Sequence, residues 1–436
     1  MVSGMKRLSQ LLIYRGSRIE QQNMAWNMLG SFCYAFASMV LSFLVMRLAG
    51  EDAGGVFAVG YSAFGQQMFT LAYFGLRPFQ VTDGGVENGG YAFGEYRRFR
   101  KLTVGLAVAA SAVFSFWMAA GGTYGGEKAL TVFLLALYKI IDGYADVYES
   151  EFQRQGSLYL TGKSNTFRTV FSVAVFLGGL IWTKRLAWAC LASVFAQALG
   201  VAACNFSVIG ALPKVDYGCR KGSIRRMLSE TGLLFLSVFL DFYIFSAAKY
   251  AIDSRLNDAA SGYFNLIFMP TSVIYLVANF VIRPFLTRMT MCWNQGDMKG
   301  LKKIVAKISG IILGLTVLAL GGCLCLGGFV LRIMESLLGS GYEGALSVYQ
   351  PAFTVIVLGG GFYALANLMY YCLVVMRRQR LIFLVYLVTG AGAAILAPRL
   401  VSQFGIPGAA FSYCLFMVML LAGFGLMVLG KLAKTR

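Results

Sequence analysis

Tyr138, Lys139, Asp142, Asp146, Glu149 and Gln153 follow one another at intervals of one, three, four, three and four residues. On an α-helix that spacing stacks all six on one face. One ammonium and three carboxylates in a stripe can bind an ion or grip a polar substrate. A second set comprises Asp241, with no basic residue beside it, and Lys249, eight residues further along roughly the same face. A carboxylate without a local counter-charge suits a coupling cation or a proton; a pairing of Asp241 with Lys139 is the alternative. Arg77 and Arg283, each followed by Pro-Phe, complete the candidates. A guanidinium fork takes two phosphate oxygens at once, so the two arginines read either as a symmetric grip on a diphosphate or as interfacial anchors.

These groups stand in apolar surroundings. Of 436 residues, 58% are hydrophobic and 13% charged, and mean hydropathy is +0.68. No soluble domain buries that much apolar surface, whereas a bilayer requires it. The chain is therefore expected to be an all-α polytopic membrane protein. With about 20 apolar residues per crossing, twelve spans are predicted: 24–46, 53–76, 102–121, 129–150, 166–183, 187–210, 228–251, 259–282, 305–330, 348–374, 380–398 and 406–430. Lys139, Asp142 and Asp146 fall in the fourth, Asp241 and Lys249 in the seventh. An ionisable group at mid-depth costs roughly 2.5–3.5 kcal/mol and usually faces a bundle interior or a wet cavity. Two readings of the stripe stay open: a Lys139–Asp142 pair that neutralises itself and packs helix four, or the polar wall of a central cavity.

Loop charges orient the spans. Only Arg47, Lys128, Lys184, Arg185, Arg255, Arg332 and Arg399 lie in the loops on one side, against 29 of the 38 basic residues on the side of the termini. Both termini are thus expected in the cytoplasm. Two strings 206 residues apart then acquire meaning. Ala72-Tyr-Phe-Gly-Leu-Arg-Pro-Phe79 reappears as Ala278-Asn-Phe-Val-Ile-Arg-Pro-Phe285, and Asp52-Ala53 falls on Asp258-Ala259 at the same offset. Helices two and eight are predicted to open on Asp-Ala and close on Arg-Pro-Phe, as copies in two parallel six-helix lobes. The expected layout is a cytoplasmic amphipathic segment over 1–23, a first lobe over 24–210, a basic linker over 211–227, a second lobe over 228–430 and a tail over 431–436. Pro270, Pro351 and the 359–361 glycines are possible bends.

The sequence has no histidine, which removes imidazole bases, relays and metal ligands. Its nine cysteines form no CxxC pair, so neither a zinc site nor a disulfide framework is readable. The net charge of +19 is accounted for by basic inner loops rather than by nucleic acid. No Walker A loop or dinucleotide fingerprint occurs. No cofactor is expected, and transport would draw on an ion gradient or the membrane potential.

Asn27-Met-Leu-Gly30, Arg47-Leu-Ala-Gly-Glu-Asp-Ala-Gly54, Phe79-Gln-Val-Thr-Asp83, Tyr138-Lys-Ile-Ile-Asp-Gly-Tyr-Ala-Asp146, Gln153-Arg-Gln-Gly156 and Gly162-Lys-Ser164, together with the twelve-span layout, resemble the multidrug/oligosaccharidyl-lipid/polysaccharide (MOP) exporter superfamily. The polysaccharide flippase branch, which translocates O-antigen and capsule repeat units, is the nearest likeness. The motifs lie in the first half; the second half resembles the superfamily by topology. The resemblance implies a bacterial plasma-membrane protein, expected to act as a single chain. It would move an undecaprenyl-pyrophosphate-linked oligosaccharide to the outer leaflet by alternating access, with a coupling cation possible. It also implies a cationic cavity between helices 1, 2, 7 and 8, on which Arg77, Asp241, Lys249 and Arg283 fall, with Lys139, Asp142 and Asp146 on helix four.

Two competitors remain. A cation-coupled multidrug or metabolite exporter of the same superfamily would show an apolar, aromatic cavity with a lone carboxylate. A membrane polymerase, ligase or acyltransferase would need a substantial outer loop, or a histidine, to build its site. The outer loops are short and histidine is absent.

Overall fold

The computed structural model describes residues 10–14, 16–83, 86, 90–213 and 215–434, with the side chains of 272, 275, 276, 280, 283, 287 and 432–434 outside that description. Lys6, Arg7, Arg15, Lys214 and the Arg283 side chain therefore lie outside the described residues. All regular structure among the described residues is helical. Eight stretches are long and apolar enough to cross a membrane. The last of them is two predicted spans joined in one helical run, Gln379–Lys434, broken at Gly405 with φ 61° and ψ −138°. The other three predicted spans are helical but escape a simple hydropathy count: 129–150 is too charged, and 53–76 and 259–282 are broken into pieces.

The chain divides into two compact units, Met1–Phe235 and Leu236–Arg436. The first contains α1 (Ile19–Ala49), α2 (Glu51–Phe57), a π-helical turn Ala58–Phe64, α3 (Gly65–Tyr73), α4 (Leu76–Thr82), α5 (Phe93–Ala120), α6 (Gly126–Arg154), α7 (Leu158–Thr183) and α8 (Leu186–Val201), which continues through a second π turn, Ala202–Phe206, into α9 (Ser207–Ile209). α10 (Ser223–Arg255) crosses the division. The second unit adds α11 (Asp258–Phe268), α12 (Pro270–Asn294), α13 (Met298–Leu338), α14 (Gln350–Val375) and α15 (Gln379–Lys434). α6 is the most enclosed helix of the first unit, with Val132, Ala136, Ala145, Val147 and Phe152 fully buried. Outer faces carry large apolar side chains in the open, such as Trp182 at 90% and Phe116 at 76% exposure. Such surfaces suit hydrocarbon, not water.

The doubled Arg-Pro-Phe corrects one expectation: neither copy closes its helix. In the first, α3 stops at Tyr73, and Phe74 and Gly75 turn left-handed at φ 55° and 65°. Arg77 then rides on the short α4 beyond the break. In the second copy α12 runs unbroken past Arg283 to Asn294, with Pro284 inside it. The residue matching Gly75 is Val281. A β-branched side chain resists the left-handed region that glycine enters freely, so only the first copy breaks.

The 211–227 segment keeps close to the first unit. Gly94 N–H donates to the Asp216 carbonyl at 3.0 Å. The Arg220 guanidinium spans both oxygens of Glu95, at 3.2 and 3.0 Å, and its backbone N–H donates to the same carboxylate at 3.0 Å. Burial works against a charged Glu95. Those bonds and the Ala92 N–H outweigh it, holding the carboxyl down at about 2.

Candidate functional site

The break after Tyr73 leaves helix-end carbonyls without intrahelical donors. Arg100 from α5 satisfies one: its Nη1 donates to the Ala72 carbonyl at 2.8 Å, joined there by Thr103 Oγ1 at 2.8 Å. The other end of the same guanidinium donates from Nη2 to Asp146 Oδ2 at 2.9 Å. Arg77 reaches the remaining oxygen, Nη1 to Oδ1 at 2.9 Å, lies 4.0 Å from Glu149, and donates through Nε to Gln153 at 3.3 Å. One turn deeper Arg168 from α7 bridges Glu149, at 2.8 Å, and Asp142. Ser164 and Asn205 support that bridge, Ser164 Oγ donating to Glu149 at 3.1 Å.

The stripe read from the sequence thus folds into a neutral network of three arginines and three carboxylates, all inside the first unit. Five of these six side chains are at most 9% exposed; Arg77 is 26% exposed. Arg77 is therefore the most accessible member of the network. Without it, Asp146 would keep Arg100, and Glu149 and Asp142 would share Arg168, leaving three carboxylates to two arginines.

Lys139 stands apart from this network, and the Lys139–Asp142 pair expected as one reading does not form. Asp142 turns to Arg168, while the Lys139 ammonium donates to the Tyr34 hydroxyl at 2.8 Å and lies 3.7 Å from the Tyr61 ring centroid. Tyr61 sits in the π turn of helix two, and its ring offers a cation–π face that replaces part of the lost hydration. Lys139 is 2% exposed.

The second unit is built differently. Asp241 on α10 accepts a hydrogen bond from the Tyr363 hydroxyl at 2.9 Å, with the Tyr386 hydroxyl also beside its carboxyl, and has no basic partner in its own unit. Around it Phe245 packs against Tyr363 and Tyr413, and the Tyr413 hydroxyl is unpartnered. Lys249 donates to Asn265 at 3.0 Å and lies over the Phe268 ring at 4.9 Å. Asp241 and Lys249 thus have separate partners. Among the described residues no cluster of Cys, Asp or Glu is arranged to hold a metal ion.

Solved structures share this architecture over nearly the whole chain. An inward-facing multidrug resistance MATE transporter of the MOP superfamily superposes with a TM-score of 0.69, covering 95% of this chain and 99% of that one at 10% identity. The lipid II flippase MurJ, in an inward closed conformation, gives 0.62 at 12% identity over 94% and 90%. A eukaryotic MATE transporter gives 0.63 at 14% identity over 99% of both chains. The chain has the fold of these transporters. No protein-family model and no curated protein matches the sequence itself.

Two arginines of the first unit, Arg100 and Arg168, escaped sequence reasoning because they stand in runs that look like basic inner loops. Their signal was present as spacing. Tyr96, Phe99, Arg100, Thr103 and Ala107 share the buried face of α5, as Thr161, Ser164, Arg168, Ser172 and Phe176 share that of α7. An arginine in phase with core residues is a core residue.

Proposed function

We propose that the protein is a flippase for an anionic lipid-linked oligosaccharide. It would carry an undecaprenyl-pyrophosphate-linked glycan across a bacterial plasma membrane by alternating access, for cell-surface polysaccharide synthesis, with both termini in the cytoplasm. The observation that carries this reading is the accessible guanidinium of Arg77. It is held by a carboxylate that keeps a second, buried arginine when Arg77 leaves, so a pyrophosphate can take Arg77 while Asp146 and Glu149 each keep one guanidinium. Asp142, Asp146 and the third arginine act here as the fixed backing of that arm. Lys139 and Lys249 add positive potential within each unit, and Arg283 is the matching guanidinium of the second repeat. Asp241 is assigned to the coupling cation, because it is a buried carboxylate met by tyrosine hydroxyls and by no basic side chain of its own unit. The similarity to MurJ, whose name gives lipid II as its cargo, and to transporters with no catalytic role in their names favours carriage over chemistry.

The lone carboxylate among tyrosines and phenylalanines also supports a second reading, a cation-coupled multidrug or metabolite exporter. Deletion in a strain lacking other flippases separates the two. The flippase reading expects lipid-linked repeat units to accumulate on the inner leaflet; normal arrival at the outer leaflet defeats it. With protein levels unchanged, Arg77→Ala should reduce translocation at least tenfold while Arg77→Lys retains part of it.

A further inference from the structure

Lys139 and Lys249 carry charge within the helices, yet they bond to a hydroxyl and to an amide rather than to a carboxylate. Each ammonium is held besides by an aromatic ring. Both rings come from irregular points in the two helices that open on Asp-Ala. In helix two the ring is Tyr61, inside the π turn Ala58–Phe64. In helix eight it is Phe268, the last residue of α11, just before Pro270 opens α12. Tyr61 stands nine residues after Asp52 and Phe268 ten after Asp258. The lysines sit on helices four and seven, which are not copies of one another, so what the repeats share is the ring at the break.

Each lysine also touches the break beside its ring. The π turn closes with a bond from the Gly65 N–H to the Gly60 carbonyl. A Cβ on Gly65 would collide with that oxygen and come within 3.2 Å of Lys139 Cγ. The Lys139 stem therefore lies across the end of the turn while its head sits 3.7 Å from the Tyr61 centroid. Phe57 stacks on Tyr61 at 4.9 Å, and the Tyr61 hydroxyl meets Ser38 of α1 at 3.1 Å, which fixes the ring. In helix eight Pro270 has no N–H for the Leu266 carbonyl, which takes the Met269 N–H at 3.2 Å instead. Lys249 bonds Asn265 and lies over Phe268, both in the last turn before this break. Phe264 and Tyr413 pack against the Phe268 ring.

π turns and prolines are places where helices bend. The Lys139 side chain is buried and that of Lys249 half-buried, so the rings stand in for part of the hydration the ammoniums have lost. A change of bend that drew a ring away would uncover a charge, which disfavours positions part-way. We infer that Lys139 and Lys249 are locks on matched hinges in helices two and eight, each released when its aromatic ring leaves the ammonium. Such locks rest on the alternating access proposed above but on no particular cargo, and serve a flippase and an exporter alike.

Hydrogen exchange of the full chain in lipid nanodiscs, read by mass spectrometry on peptides spanning 57–65 and 264–271, tests this with no substrate present. Lys139→Met should raise exchange in the first peptide roughly fivefold or more and leave the second unchanged; Lys249→Met should do the reverse. Tyr61→Leu should act as Lys139→Met does, while Tyr61→Phe, which keeps the ring, should stay close to the wild type. The thermal midpoint of the lysine variants should hold or rise, because a methionine costs less to bury than an ammonium. Should Lys139→Met fail to fold, Tyr61→Leu reports on the first hinge and Lys249→Met on the second. Unchanged exchange in both peptides overturns the locks. A lowered midpoint with exchange rising throughout the chain overturns them too, since that marks a merely structural role. Neither result touches the flippase reading, because no transport is measured.

Discussion

Asp146 and Asp241 are both buried carboxylates on long helices, yet the protein treats them in opposite ways. Asp146 has an arginine on each oxygen, one of them fully buried, and a serine hydroxyl behind it. Asp241 meets no arginine or lysine, only the hydroxyls of Tyr363 and Tyr386. A carboxylate saturated by guanidiniums is structural, because its charge is what keeps Arg100 inside. A carboxylate left half-solvated in an aromatic shell is held at a cost and is available to a visiting cation. The difference lies in the counter-charge: Asp146 is neutralised by arginines, Asp241 only by hydroxyl dipoles.

The largest effect that would break this contrast is at Asp146. Asp146→Asn leaves Arg100 buried without a counter-charge, which should cost about 3–5 kcal/mol and lower the thermal midpoint of the purified protein markedly. Asp241→Asn keeps the Tyr363 hydrogen bond and removes an uncompensated charge. Its midpoint should stay within about 1 kcal/mol of the wild type or rise, while transport stops responding to the cation gradient. Equal destabilisation of the two variants would erase the distinction between them.

A smaller effect is expected at the break that brings Arg77 to the network. Gly75→Ala meets no neighbouring atom but places a Cβ at φ 65°, at a cost of about 1–2 kcal/mol. It should also reduce translocation beyond what the stability loss explains, because Arg77 is displaced. The smallest effect concerns the linker. The Glu95 carboxyl is held at about 2 in the folded protein, below its usual unfolded value of about 4.3. Its contribution is present above that unfolded value and is lost as pH falls towards 2. Arg220→Gln should therefore lower stability modestly at neutral pH and change it little near pH 2, flattening the acid side of the profile, as followed by tryptophan fluorescence across a pH series.

Much of this was written in the chain. Apolar runs of bilayer length required membrane helices, and the spacing from Tyr138 to Gln153 placed the polar groups on one face, because both depend only on helix period and solvent. Which partners that face would meet depended on helices distant in sequence. Arg100 comes from α5 and Arg168 from α7, and packing alone turned the Lys139–Asp142 neighbours away from each other. The Arg-Pro-Phe repeat shows the same boundary. Its recurrence was legible as a string, but the outcome turned on a glycine facing a valine two residues upstream. Where a glycine permits a left-handed turn, only the surrounding structure decides whether it is taken: in the first repeat Arg100 and Thr103 are at hand to satisfy the carbonyl freed by the turn.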